Sequence, residues 1–269
     1  MNQIKDLKIY NSEMNKSIED KLWFTQFLEQ PQFHNAIIVD YGCGDGTLIR
    51  ELDKEFWAMF DYFGVDNNEE MLKIADSKVS LGDDIYYSKS IPQLVTDRPK
   101  ILILSSVLHE IFSYNHSLEF HCDLNGFKPD YIFIRDMWLD ESARRNIIED
   151  ISKIEEHELF ESFKKVEKFN NFKRDRKLSN RKPLDEIELD WSNIIHFLLK
   201  YRYKENWERE VKENYISIYK DRFDKIFKDY YTIYEKKYTL PFIKEQVKKD
   251  FGINLVDTTH INLILKRCN

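Results

Sequence analysis

The chain has 269 residues, and 41 Lys or Arg against 48 Asp or Glu leave it a formal net charge of −7. A composition 42% hydrophobic, 33% charged and 14% aromatic is that of an ordinary globular protein with length enough for a large core. The acidity speaks against a generic nucleic-acid coat, and no run of about 18 apolar residues is present to span a membrane.

Three scattered cysteines, Cys43, Cys122 and Cys268, form no CxxC pair, so reduced thiols are expected and no cysteine-based zinc site. The opening residues, Met1 to Asp6, show no secretory pattern. A soluble, cytoplasmic protein is the expectation.

Before the first strand pattern, Ser17 can cap a helix in which Ile18, Leu22, Trp23, Phe27 and Leu28 share one face, ending near Pro31. A segment of this kind covers a sheet edge.

Ala36 to Val39 is a short β-branched run suited to a strand buried on both faces, and it ends on Asp40. Gly42, Gly44 and Gly46 follow at alternate positions, as a chain needs where it turns sharply with a ligand against its backbone. Thr47 can cap the next helix, to which Leu48, Ile49 and Leu52 give an apolar face. A dinucleotide fingerprint would need its third glycine at residue 47, so the spacing argues against a nicotinamide or flavin cofactor. A second apolar run, Tyr62 to Val65, ends on Asp66, 20 residues after Gly46. An acid there can accept both hydroxyls of a ribose bound across the first crossover. Asn67 to Glu70 then start a helix carrying Met71, Leu72, Ile74 and Ala75.

Asp40 with its three glycines, followed in register by the string FGVDNNEEML, resembles the first two motifs of the class I S-adenosylmethionine-dependent methyltransferases. That resemblance implies a doubly wound, Rossmann-like α/β sheet of seven strands and S-adenosylmethionine as cofactor. It implies that Asp40, Gly42, Gly44 and Gly46 hold the methionine moiety and Asp66 the ribose. It also offers a second reading of residues 1–35, as a helical lid over the cofactor with Tyr10, Met14 and Lys16 as candidates, beside plain packing. In the third strand pattern, from Asp84 to Ile91, the loop at 81–84 or Ser88 is where the adenine edge would be met.

Lys100 to Leu104 opens the fourth strand pattern, the most apolar segment of the chain. Ligands of an open parallel sheet bind outside the carboxyl ends of the strands, which puts Ser105, Ser106, His109 and Glu110 at the mouth, Ser105 among the cofactor contacts. Methyl transfer is an in-line displacement in which the protein mainly positions the nucleophile; a base is needed only where that nucleophile must lose a proton. His109 is the candidate base, its other reading being a wall of the cofactor pocket. His109-Glu110 lacks the second histidine of a zinc-protease motif, and His116 and His121 do not share a helical face, so no metal site is expected. The fifth strand pattern, Asp130 to Trp138, delivers Arg135 and Asp136 to the same mouth. Either they lock the rim as an ion pair, or they grip a polar group and orient an amine or hydroxyl nucleophile.

A helix is expected from Glu141 to about Ile154. Between Lys164 and Lys182 nine Lys or Arg accompany Phe163, Phe169 and Phe172, which suits either contact with nucleic acid or a solvated helix face with its rings turned to the core. Trp191 to Lys237 reads as two helices, with Phe223, Ile226, Phe227, Tyr230 and Tyr234 at helical spacing. Leu240 to Phe251 reads as the last crossover helix, stopped by Gly252, and Ile253–Val256 with Ile261–Leu265 as a closing hairpin. The organisation expected is a lid at 1–35, a cofactor-binding core at 36–155 and 239–269, and a helical insertion between strands 5 and 6, at 156–238, acting as substrate cap. Tyr201, Arg202, Tyr203 and Arg209 are its candidate wall residues. The implied activity is methyl transfer to a small molecule, a nucleotide or RNA. The rivals are a non-catalytic binding module with the same sheet, against which Asp40, the glycines and Asp66 count, and a nicotinamide oxidoreductase.

Overall fold

The computed structural model describes residues 17–80, 84–94, 96–114, 116–143, 151–166 and 191–268. Among them β1 (Ile37–Tyr41), β2 (Asp61–Val65), β3 (Ile85–Ser88), β4 (Lys100–Ser105), β5 (Tyr131–Met137), β6 (Tyr230–Tyr238) and β7 (His260–Arg267) form one seven-stranded sheet in the order β3-β2-β1-β4-β5-β7-β6. This is the doubly wound arrangement expected from the sequence. Central β1 lies parallel to β2 and to β4, with Ile37 opposite both Asp61 and Lys100. The strand order reverses at that point, which opens a crevice at the carboxyl ends of β1 and β4. Buried on both faces, β1, β4 and β5 carry Ile, Val, Leu and Phe almost without interruption.

Helices α1 (Ile18–Lys21) and α2 (Thr25–Leu28) precede β1. Between the strands of the parallel half lie α3 (Thr47–Glu55), α4 (Glu69–Asp76), α5 (Leu108–Ser113) and α6 (Ser117–Phe127). From β5 to β6 come α7 (Ser152–Glu155), α8 (Phe160–Lys164), α9 (Trp191–Lys200), α10 (Trp207–Glu210) and α11 (Lys220–Ile226). Last is α12 (Pro241–Phe251), with proline in its first turn and Gly252 ending it at φ 75°.

The chain folds as two compact units. One comprises the described part of Asp6–Asp136 with Asp221–Lys236 and Ile261–Asn269. In its core Phe24, Leu28 and Phe33 pack with Ile38, Ile49, Tyr62, Ile103, Phe133 and Ile264. Each such side chain contributes about 1.5–3 kcal/mol by leaving water. The other comprises the described part of Met137–Lys220 with Lys237–His260, built around an aromatic cluster in which the Phe160 ring lies 5.0 Å from Phe197 and Tyr201 4.9 Å from Phe251.

Four elements differ from the sequence expectation. The N-terminal helix is broken at residues 22–24, and the side chains that bury fully are Phe24, Leu28 and Phe33. Residues 141–143 are turn and 3-10 backbone and Ser152–Glu155 is α-helical; the part of the expected helix at 144–150 lies outside the described residues. Residues 253–256 are irregular, so no hairpin forms there. Its place is taken by Tyr230–Tyr238, expected to be helical and found as β6, so the helical insertion ends before residue 230. Spacings of four, as at Tyr230, Tyr234 and Tyr238, put residues on one face of a helix and equally on one face of a strand. The aromatic and β-branched run Tyr-Tyr-Thr-Ile-Tyr decides for the strand, and Tyr234 stacks on Trp23 with centroids 5.4 Å apart. Bonds from Thr259 N to Tyr238 O and from Cys268 N to Asp229 O make β7 antiparallel to β6.

Candidate active site at the carboxyl ends of the strands

After β1 the chain turns through three residues of positive φ, Gly42 at 79°, Gly44 at 54° and Gly46 at 71°. Gly42 and Gly46 are needed for packing: a Cβ on the first would lie 2.6 Å from Val107 Cγ2 and on the second 2.1 Å from the Tyr87 hydroxyl. Gly44 is different, since a Cβ there would meet nothing within 4 Å. Its open backbone face is a cradle. Asp66, just past β2, braces that cradle. Its Oδ2 accepts from Gly44 N at 2.9 Å and its Oδ1 from Asn68 N at 2.8 Å. Asn68 in turn caps α4, accepting from Glu70 N and Met71 N.

The cap of α3 is not the expected Thr47, which is the first helical residue. Gly46 holds the N-cap position without a side chain, and Asp45 Oδ1 accepts from Thr47 N at 3.2 Å and Thr47 Oγ1 at 2.7 Å. Asp45 Oδ2 pairs with Lys78 at 2.8 Å, and together these bonds outweigh burial and hold its carboxyl below the usual range.

Asp40 is 3% exposed. Burial pushes its carboxyl up to about 7, Asp66 adding to the shift and the Lys21 ammonium opposing it. At the end of β4, Ser105 Oγ is buried without a hydrogen-bond partner. Its neighbour Ser106, at φ 58°, accepts from Arg135 Nη1 at 2.6 Å.

Arg135 and Asp136 are consecutive on β5, so their side chains leave opposite faces of the sheet. The two form no joint grip and no rim pair with each other. Arg135 reaches back to α1, where Nε and Nη2 both donate to Asp20 Oδ2, at 2.7 and 2.6 Å. Asp136 is fully buried and faces α5: Oδ2 accepts from Leu108 N at 2.8 Å and His109 N at 3.3 Å, and Oδ1 lies 2.7 Å from His109 Nδ1. A carboxylate beside Nδ1 places the imidazole proton on that nitrogen and leaves Nε2 as the basic one. The acid also satisfies backbone donors at the start of a helix that has no side-chain cap of its own.

The structure therefore brings Asp40, Gly44, Asp66, Ser105 and Arg135 to one group of strand ends, with Asp136 carrying His109 on the other face of β5. Sequence reasoning missed Asp20 and Lys21, and it placed Ser106 at the mouth. The polar positions of the predicted N-terminal helix were the available signal for the first two. Of the other candidates, Phe163 is a core residue, 1% exposed, rather than a stacking surface. Tyr201 is buried with its hydroxyl donating to Asp250 at 2.8 Å, Arg209 pairs with Glu213 at 2.9 Å, and the Arg202 guanidinium lies 4.6 Å from the Phe242 ring. Tyr10, Met14, Lys16, the loop at 81–83 and the basic run from 167 onward lie outside the described residues. Among those described, no helix is long and apolar enough to cross a membrane.

No protein-family model matches the chain, and no curated protein matches it. Solved structures do. A chain from the complex of the Haloferax volcanii Trm112 methyltransferase activator with a candidate methyltransferase superposes with TM-score 0.51 at 11% identity, covering 99% of this chain and 98% of that one. The magnesium protoporphyrin IX methyltransferase of Synechocystis PCC 6803 follows with TM-score 0.45 at 12% identity, covering 99% and 89%. The plantazolicin methyltransferase BpumL gives 0.48 at 10% identity, covering 98% and 88%. With the strand order, the first of these establishes the fold as that of the Rossmann-like methyltransferases.

Proposed function

We propose that this chain, which has the methyltransferase fold, transfers a methyl group from S-adenosylmethionine to a nucleophilic acceptor in the cytoplasm. The observation that carries the reading is the convergence of an open glycine cradle at Gly44, the half-buried Asp66 bonded to it, and a buried hydroxyl, Ser105 Oγ, with no partner inside the protein. Such an orphan and such a cradle fit a polar ligand laid along the strand ends.

In this reading Asp40 and the turn at Gly42, Gly44 and Gly46 hold the methionine end, Asp66 the ribose, and Ser105 donates to the cofactor. S-adenosylmethionine held there would supply an activated methyl carbon, with sulfur as the leaving group, to the lone pair of an acceptor placed in line. The protein's part is to position and to exclude water. His109 is assigned the base that takes a proton from an amine or hydroxyl acceptor, with Asp136 holding its tautomer. Arg135, tied to Asp20 and Ser106, is assigned to hold the N-terminal segment rather than to bind the acceptor. Acceptor selectivity is assigned to the chain between β5 and β6. Its bases between Lys164 and Lys182 favour a nucleotide or RNA, and the net charge of −7 favours a small metabolite.

Calorimetric titration with S-adenosylmethionine, S-adenosylhomocysteine and NADH tests the cofactor. Binding of the first two alone supports the reading, and binding of neither rejects it. For the acceptor, reversing Lys173, Arg174, Arg176 and Lys177 should weaken RNA binding and flatten its salt dependence; unchanged binding removes RNA.

A further inference from the structure

Gly64, the glycine of the FGVD string, is the middle of a row that crosses three strands. Parallel register sets Asp40 of β1 opposite Gly64 of β2, and Gly64 opposite Tyr87 of β3. Residues opposite one another in a sheet present their side chains on one face, so the place between an acid and a phenol carries no side chain of its own. A glycine inside a strand marks a site where another group comes close to the backbone. Here that group is the half-buried Tyr87 ring. A Cβ on Gly64 would lie 2.3 Å from its Cδ1 and 2.5 Å from its Cε1, and 2.9 Å from Cys43 Sγ.

The far end of the same ring reaches the glycine turn. A Cβ on Gly46 would lie 2.1 Å from the Tyr87 hydroxyl oxygen and 2.6 Å from Cζ. Gly46 and Gly64 stand on different elements, yet both leave room for one side chain, and neither contact would survive a methyl group. The hydroxyl is 3.4 Å from Gly46 O, long for an O–H···O bond, so the fit is one of ring shape rather than of polarity. Gly44 is untouched by this ring and keeps its open face.

We propose that Tyr87 is a positioning residue for the turn after β1: its ring, seated in the socket left by Gly46 and Gly64, fixes the turn so that Gly44 stays open to the cofactor, and the ring itself does not touch the ligand. The assignment rests on the cofactor reading above. The turn is then braced twice, at Gly44 by the hydrogen bond to Asp66 and at Gly46 by packing from β3. A turn shaped before ligand arrives spares binding the cost of ordering it. Gly46 and Gly64 serve the ring, and Gly44 serves the ligand.

The test is the calorimetric affinity for S-adenosylhomocysteine of the wild type, Tyr87→Phe, Tyr87→Val, Gly64→Ala and the double variant Gly64→Ala/Tyr87→Val, with thermal unfolding to show that each is folded during titration. Calorimetry reads the folded protein, so a ring that only fills core space would leave the affinity where it was. Tyr87→Val should bind roughly 10-fold more weakly, as where a loop must be ordered on binding, and Tyr87→Phe within about twofold of wild type. Gly64→Ala displaces the ring and should show a similar loss. The double variant should bind no more weakly than Tyr87→Val alone, because the new methyl then enters an empty socket. Wild-type affinity in Tyr87→Val overturns the proposal, as does an additive loss in the double variant. A loss in Tyr87→Phe equal to that in Tyr87→Val overturns it too, since the hydroxyl would then be a ligand contact. If Tyr87→Val does not fold, Gly64→Ala decides, and unchanged affinity there overturns the proposal. A wild type that does not bind S-adenosylhomocysteine rejects the cofactor reading itself, a different result from any of these.

Discussion

Asp136 Oδ1 lies 2.7 Å from His109 Nδ1 while its Oδ2 accepts from the backbone nitrogens of Leu108 and His109, so one buried carboxylate starts a helix and orients the histidine on it. Asparagine at 136 keeps the shape but has a single acceptor oxygen, and either the helix start or the imidazole loses its partner. Asp136→Asn is expected to lower the methyl-transfer rate by about 100-fold or more while S-adenosylhomocysteine affinity stays within about threefold. Asp136→Ala should cost about 3–5 kcal/mol of stability in urea unfolding, as removal of a buried, bonded charge does.

The glycines of the turn separate packing from binding. Gly46→Ala drives a Cβ against Tyr87 at a positive φ, so it is expected to destabilise by about 2–4 kcal/mol. Gly44→Ala has open space and should lose only about 1–2 kcal/mol, the cost of the left-handed conformation. Yet its methyl occupies the cradle. Weaker S-adenosylhomocysteine binding in Gly44→Ala, by about 10-fold or more, is the expected calorimetric result; wild-type affinity would show that no ligand lies against that backbone.

Asp40 makes stability depend on pH. Its carboxyl rises from an ordinary 3.8 to about 7 through burial, with Lys21 and Asp66 the charges that face it. The folded state thus binds the proton more tightly than the unfolded chain. Its contribution is most favourable below about pH 4 and is lost as pH rises to about 7, by at most about 4 kcal/mol. Lys21, lowered from 10.5 to about 8 by burial and by Arg135 against the opposing pull of Asp40, Asp45 and Asp20, works in the other window: folding favours its neutral form, so stability recovers between about pH 8 and 10.5. Urea unfolding across this range should show a minimum near pH 7–8 that becomes shallower on its acid side in Asp40→Asn. An unaltered profile in that variant assigns the minimum to other groups.

Lys200 is fully buried in the unit that contains α9. Its ammonium donates to the carbonyl oxygens of Glu210 and, at 2.5 Å, Glu213, and lies 4.4 Å from the centre of the Tyr215 ring. Lys200→Met fills similar space but orphans both carbonyls, so a loss of about 2–4 kcal/mol is expected in urea unfolding. A loss below about 1 kcal/mol would mean that water or neighbouring groups satisfy those carbonyls.

Some of this protein was determined by sequence alone. The run Ala36–Val39, the acid at Asp40, the alternate glycines and the acid at Asp66 are governed by interactions within a few residues: strand burial, turn stereochemistry and the spacing of one crossover. The resemblance those residues carry implied the doubly wound sheet that the fold has, although not which segment forms β6. Tertiary structure decided what short spacing cannot encode. Arg135 and Asp136 are neighbours in sequence, yet the strand sends them to partners 115 and 27 residues away, Asp20 and His109. Tyr230–Tyr238 has a spacing common to helix and strand, so its state was set by the neighbour it pairs with. Period and turn chemistry are local energies, whereas the partner of a charge is chosen by whatever the folded chain brings within reach.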